Sequence, residues 1–221
     1  MQLSRIDLQF LEGCWRLAAK SFLNTSADSF SMRIPGQTKM LFASGLKDWK
    51  QIEFADIHAT SLFSGGNPAS LHTAIYRDRA DAGAVAISSP EGARLLAKHG
   101  GLLPHLFDEQ ARHIGGSVGP LPDEERVHRD MLRKTLSKGA NAVLLGERLL
   151  CLGMTCERVL FNAELYEKCA RAYVIAKESG GRVGRIPGWV RFIANRRLLR
   201  NERDAAASYR NGCMPEGINA Y

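Results

Sequence analysis

Helix-like and strand-like patterns alternate along these 221 residues, and that alternation limits the chain to a fold in which helices cover a sheet. In residues 7–23 the apolar Leu8, Leu11, Trp15, Ala18 and Phe22 recur at helical spacing and predict an amphipathic helix. The polar stretch 24–36 reads as a loop running into a strand, residues 40–44 as a further strand, and Gly45 as the turn that follows it. Helix resumes near Glu53. Strands are expected at 83–87, 141–145 and 148–152, with helices over 91–98, 105–113 and 123–137 between them. Thr155 is placed to cap a long helix reaching Lys177, with Glu157 in its first turn.

Composition narrows the class of protein. With 45% hydrophobic and 24% charged residues the chain is ordinary globular material, long enough for one sizeable core. No apolar run approaches the roughly 18 residues of a membrane span, and residues 1–7 lack the basic-then-apolar order of a signal peptide, so a cytoplasmic location is expected. Cys14, Cys151, Cys156, Cys169 and Cys213 are scattered, odd in number and without a Cys-x-x-Cys pair; free thiols are expected, not a disulfide framework or a zinc ribbon.

Charge is unevenly spread. Residues 181–221 hold eight arginines against Glu202, Asp204 and Glu216, a surplus of five out of the net +7. Within them Trp189, Phe192 and Ile193 form an apolar stripe beside Arg196, Arg197 and Arg200. Such a helix packs its stripe on the body or on a neighbouring subunit with the arginines solvated, or else meets anionic lipid, nucleic acid or an acidic protein. No nucleic-acid motif accompanies it.

The stretch His72-Thr-Ala-Ile-Tyr-Arg-Asp-Arg-Ala-Asp-Ala-Gly-Ala-Val85, then Asn141-Ala-Val-Leu-Leu145, then a helix through Ala163-Glu-Leu-Tyr166, resembles the class II aldolase/adducin family, whose enzymes cleave or epimerise sugar phosphates on zinc. The resemblance spans roughly residues 6–177 and lies in the order of the motifs. It implies an α/β, three-layer domain over residues 1–180, with a mostly antiparallel central sheet flanked by helices, and a basic extension over 181–221. Where the family has a longer hairpin, residues 57–67 cover the ground in few residues, which implies a trimmed sheet edge.

The family's chemical groups are missing from the matching positions. Counted without gaps from Arg79 and Asp81, its His-x-His positions fall on Ile87 and Ser89, or on Ala86 and Ser88 one register away. The turn that bears its third histidine reads Gly146-Glu147-Arg148, and its catalytic glutamate, four residues before His72, is Pro68. A catalytic zinc of that kind needs neutral imidazole, which aliphatic and hydroxyl side chains do not replace. No metal and no cofactor are therefore expected. The implied function is a catalytically degenerate, metal-independent relative that binds a polar or anionic, sugar-like small molecule or a protein partner, much as the adducin head keeps the framework without serving as an aldolase. The alternative is an aldehyde-lyase or epimerase acting on a sugar phosphate or related hydroxy-carbonyl compound from a relocated site.

By resemblance, the family's phosphate cradle corresponds to Ser26 and Ser29, then Ser44 and Gly45, then Gly66 and Asn67. Hydroxyls and exposed backbone N–H groups suit an anion, although Asp28 beside them adds opposing charge. Arg148, together with Ser88, is expected to supply positive charge in place of a metal, because a guanidinium is permanently charged and binds oxyanions bidentately. The candidates for a relocated active site are Glu109 and His113. With His105 they recur at intervals of four on one helical face, and Glu109 occupies the position from which the family presents a tyrosine to a neighbouring subunit. The outer two histidines would stand about 12 Å apart on a straight helix, too far to share a metal. His58, His72, His99 and His128 show no ligand spacing, and His72 is expected to be packed or hydrogen-bonded. The family's assembly implies a homo-oligomer of four subunits.

Overall fold

Among the described residues six strands form one continuous antiparallel sheet in the order β3-β2-β1-β4-β6-β5, comprising β1 (Ser29–Arg33), β2 (Lys39–Ser44), β3 (His58–Ser61), β4 (Ala84–Ser88), β5 (Ala142–Leu145) and β6 (Arg148–Gly153). The computed structural model describes residues 4–63, 69–180 and 182–216. Both faces of the sheet are covered. Helices α1 (Arg5–Ala19), α3 (Glu91–Lys98) and α5 (Cys156–Glu178) bury Phe10, Leu96 and Val159 against Phe30, Ala86 and Cys151 on one face. On the other, α2 (Ser70–Asp78) and α4 (Arg129–Leu136) bury Ile75 and Leu132 against Phe42, Ile87 and Leu150. The pleat explains the division, since alternate residues of each strand point to opposite faces. This is the expected three-layer α/β arrangement, with a four-residue edge strand β3 standing where a shortened hairpin was expected.

Helix starts follow local chemistry. Ser4 and Asp7 close a reciprocal capping box at α1, with Asp7 N donating to Ser4 Oγ (3.4 Å) and Ser4 N to Asp7 Oδ2 (3.0 Å). Thr155 caps α5, its Oγ1 accepting from Arg158 N at 3.2 Å.

Several expectations are corrected. Near Glu53 there are only two 3₁₀ turns, Trp49–Gln51 and Phe54–Asp56. The helix expected over 123–137 is confined to α4, because Asp123 O instead accepts from Arg126 N and Val127 N to form a turn. Residues 105–113 do not form one α-helix: the coil begins at Asp108 and is π-wound over Gln110–Ile114. Gln110 anchors this change, its Oε1 accepting from Leu106 N (2.6 Å) and Phe107 N (2.9 Å). The wider turn leaves the Ile114 and His113 carbonyls to accept from Asn141 N (2.7 Å) and Asn141 Nδ2 (3.2 Å), tying the segment to the start of β5.

The last helix, α6 (Gly188–Arg210), buries Leu198, Glu202, Ala205 and Tyr209 against the π-wound segment and the end of β6. Gly83 makes room for it: a Cβ there would overlap the Tyr209 hydroxyl, which donates to Met154 O at 2.8 Å. The stripe expected to pack does not do so in the single chain. Trp189, Phe192 and Ile193 are 68%, 63% and 61% exposed, because α6 turns its other face inward.

Candidate functional site

Strand pairing brings much of the expected cradle together at one end of the sheet. Ser29, the first residue of β1, pairs with Ser44, the last of β2, and on its other side with Ile87 of β4. Arg148 opens β6 opposite Leu145. Ser29, Ser44, Ile87 and Arg148 all belong to the α2 face by alternation along their strands, and Ser89 follows the end of β4. Ser88 does not share that face. It pairs with Leu149, whose side chain lies in the opposite core, so its buried Oγ, which has no hydrogen-bond partner among the described residues, is turned away from Arg148. Ser26 and Gly45 are exposed at the rim, and Gly45 takes the left-handed conformation (φ 78°) that its turn requires. Gly66 and Asn67 lie outside the described residues.

Asp28 organises the loop leading into β1. Fully buried, it accepts from Asn24 N (2.8 Å) and Thr25 N (2.7 Å) through Oδ2 and from Ser89 Oγ (2.9 Å) through Oδ1. Two positions matched to the family's metal region, Ser89 and Arg148, are thus engaged in protein contacts. Arg148 donates through Nη1 to Glu124 Oε2 at 3.0 Å and through Nη2 to the Ala27 carbonyl, stitching β6 to that loop. Its Nε is buried without a partner among the described residues. Arg148 is therefore partly neutralised by Glu124, a residue that sequence reading passed over because it lies 24 positions away.

His72 sits directly beneath. Its Nε2 is 2.9 Å from Ser29 Oγ and its Nδ1 2.7 Å from Ser31 Oγ, which in turn is 2.9 Å from the Tyr76 hydroxyl. Burial, reinforced by the positive charge of Arg148, pushes the imidazole down to about 3, so the ring is neutral and bonds one serine as donor and the other as acceptor. The expectation of a packed, hydrogen-bonded His72 agrees with this geometry.

Glu109 and His113 do not form a pair. Glu109 is exposed, whereas His113 is buried with its ring edge against Phe161 (4.8 Å between centroids) and its Nδ1 accepting from Arg158 Nη1. Burial, then Arg158, lower the His113 pKa to about 4. His105 lies ahead of the coil, near 2.7 Å from the Gly115 carbonyl through Nε2. The π-winding and this burial separate the three residues that an α-helical spacing would have aligned.

The donor set at the matched positions, Ile87, Ser89 and Arg148, does not fit zinc: it offers no imidazole and includes a cation. Among the described residues no group of three or more His, Cys, Asp or Glu side chains is arranged to hold a metal ion.

A six-stranded antiparallel sheet between helical layers, with its polar groups gathered where β1 starts and β2 and β4 end, defines a class of fold before any comparison is made. Residues 10–174 match the model of the Class II Aldolase and Adducin N-terminal domain, and the chain belongs to that family. No curated protein matches it in sequence. Among solved structures it is similar to an L-fuculose 1-phosphate aldolase (TM-score 0.75, 20% identity, covering 90% of this chain and 98% of that one). It is also similar to YgbL of Escherichia coli, titled a putative aldolase/epimerase/decarboxylase (0.71, 15%, 86% and 97%), and to an aldolase II superfamily protein of Pseudomonas syringae (0.64, 18%, 95% and 95%). At these identities the likeness is one of fold.

Proposed function

We propose that this chain is a catalytically degenerate class II aldolase-fold protein that binds a polar, sugar-like small molecule without a metal, at the sheet end formed by Ser26, Ser29, Ser44, Gly45 and Arg148. The observation that carries the reading is the Arg148 crosslink: where the family motif implies a metal-binding turn, a guanidinium joins β6 to the Ala27 carbonyl and to Glu124. Asp28 and Glu124 offset its charge, which favours a hydroxylated ligand over a strongly anionic one. Ser29, held from below by neutral His72, is a preoriented hydroxyl at this end. The same reading has the protein cytoplasmic, in keeping with five free cysteines, and assembled as a homotetramer through apolar surface such as Leu102 and Phe107, which are 47% and 39% exposed.

Metal analysis of the purified protein, an aldol-cleavage and epimerisation screen, and calorimetric titration with L-fuculose 1-phosphate and with the free sugar test the reading together. Expected are substoichiometric zinc, no turnover, and binding of the free sugar that survives chelator and weakens in Arg148→Ala. Stoichiometric zinc with turnover would overturn it and favour a lyase or epimerase. A light-scattering mass equal to one 24.4 kDa chain would remove the tetramer.

A further inference from the structure

At the other end of β1, about 13 Å from Ser29 at the rise of a strand, the charge balance is reversed. We propose that the cavity of about 620 Å3 there is a second binding site, for a small organic phosphate monoester held by Arg33, Arg77 and Arg129. Arg33 forms its floor. Its guanidinium lies over the rings of Tyr76 (4.9 Å) and Tyr209 (5.5 Å), and donates through Nε to Ala82 O (2.8 Å) and through Nη2 to Tyr76 O (2.9 Å) and Arg79 O (3.1 Å). These partners are dipoles and π faces. Among the described residues Arg33 has no carboxylate ion pair, and the acid that its charge senses, Asp81, is already bound bidentately by Arg79. A cation withdrawn from water without a counter-ion is costly, and an anion in the cavity offsets that cost.

The other two guanidiniums point to the same ligand chemistry. Arg77 is held through Nε by Leu62 O (2.5 Å) and lies 5.5 Å from the Phe63 ring, and neither of its Nη groups is bonded among the described residues. Arg129 binds Asp78 through Nε (3.1 Å) and Nη2 (2.6 Å), and its Nη1 likewise makes no hydrogen bond among them. Three guanidiniums against the single carboxylate of Asp78 leave a surplus of two positive charges around one cavity. A phosphate monoester carries about 1.5 to 2 negative charges at neutral pH and three strong acceptor oxygens, which matches that surplus and the unused fork donors. Leu62 and the Phe63 and Tyr76 rings line the remainder, so the organic part of the ester has an apolar wall to lie against. The site is separate from the Arg148 end and its existence does not depend on the function proposed there.

Calorimetric titration of the full chain with phenyl phosphate, inorganic phosphate and phenol tests the site. Phenyl phosphate is expected to bind saturably and more tightly than inorganic phosphate, with phenol not binding, and with affinity that falls as salt rises. Arg77→Gln and Arg129→Gln, both on exposed side chains, should each weaken phenyl phosphate roughly tenfold or more, the equivalent of one charge-assisted hydrogen bond, with unchanged melting temperatures. Arg148→Ala should leave this affinity unaltered. No saturable binding by the wild-type chain, wild-type affinity in both glutamine variants, or a loss confined to Arg148→Ala would each overturn the assignment. Equal affinities for phosphate and phenyl phosphate would overturn its organic part.

Discussion

Arg33 and Arg79 stand 46 positions apart in sequence and meet in the fold, where Arg33 Nη2 donates to the Arg79 carbonyl, yet the two guanidiniums live in opposite electrostatic surroundings. Arg79 is saturated: it binds Asp81 through Nε (2.8 Å) and Nη2 (2.7 Å), Glu202 (2.9 Å) and Asn141 Oδ1 (2.7 Å) through Nη2, and the Leu136 and Ala140 carbonyls through Nη1.

 Its neighbouring carboxylates hold the Arg79 guanidinium above the ordinary arginine range against the opposing effect of burial, whereas burial lowers that of Arg33. The difference teaches that burial alone does not assign an arginine a role. Arg79, with every donor direction met by protein, is a structural hub that fastens α6 to the body. Arg33, which among the described residues has carbonyls and rings but no acid as partners, faces a cavity with charge to spare.

The largest effect expected from breaking this contrast is at Arg79. Arg79→Met strands the buried carboxylates of Asp81 and Glu202, and should cost about 3–5 kcal/mol in urea unfolding, with faster proteolysis of α6. A loss below about 1 kcal/mol would show that the hub is not what holds α6.

Acid should weaken the fold next most. His72 and His113 titrate near 3 and 4 in the folded chain, below the ordinary value of about 6.5, so between these values the unfolded chain binds more protons. The stability they confer is complete above about pH 6.5 and is lost as pH falls through the folded values, with a slope of up to roughly 1.4 kcal/mol per pH unit for each ring. Stability measured from pH 7 to 4 in His72→Gln should show a visibly shallower slope than wild type; an identical slope would remove His72 from the account.

Arg33→Met sharpens the comparison, because it leaves carbonyls short of donors but orphans no acid. It should cost about 1–3 kcal/mol, less than Arg79→Met under the same conditions, and the reverse order would contradict the contrast.

Arg148 is the intermediate case, with one partly exposed carboxylate as partner. Arg148→Ala should cost about 1–2 kcal/mol and, by withdrawing a positive charge, move the His72 titration upward in an NMR pH series. An unmoved His72 would place Arg148 too far away to act on it. The smallest effect is expected at the exposed end of α6, where Phe192→Ser in dilute protein should change stability by no more than about 0.5 kcal/mol. A larger loss that grows with protein concentration would reveal a subunit contact there.

Much of the scaffold was legible in the chain itself. Apolar periodicity marked α1, α3, α5 and the inner strands, Thr155 marked the start of α5, and the order of motifs carried the family, because each of these is set by neighbours a few residues apart. That Ile87, Ser89 and Arg148 offer no imidazole is a matter of residue identity alone. The π-winding at Gln110–Ile114 was not legible, since it answers to Asn141, and neither was the inward face of α6, since Glu202 finds Arg79 across 123 positions. Ser88 was assigned to the wrong face although alternation along β4 contained the answer. Local propensity and spacing fix which elements form. Which charges meet, and which are left without a partner, depends on long-range packing that brings distant carboxylates to one arginine and none to another.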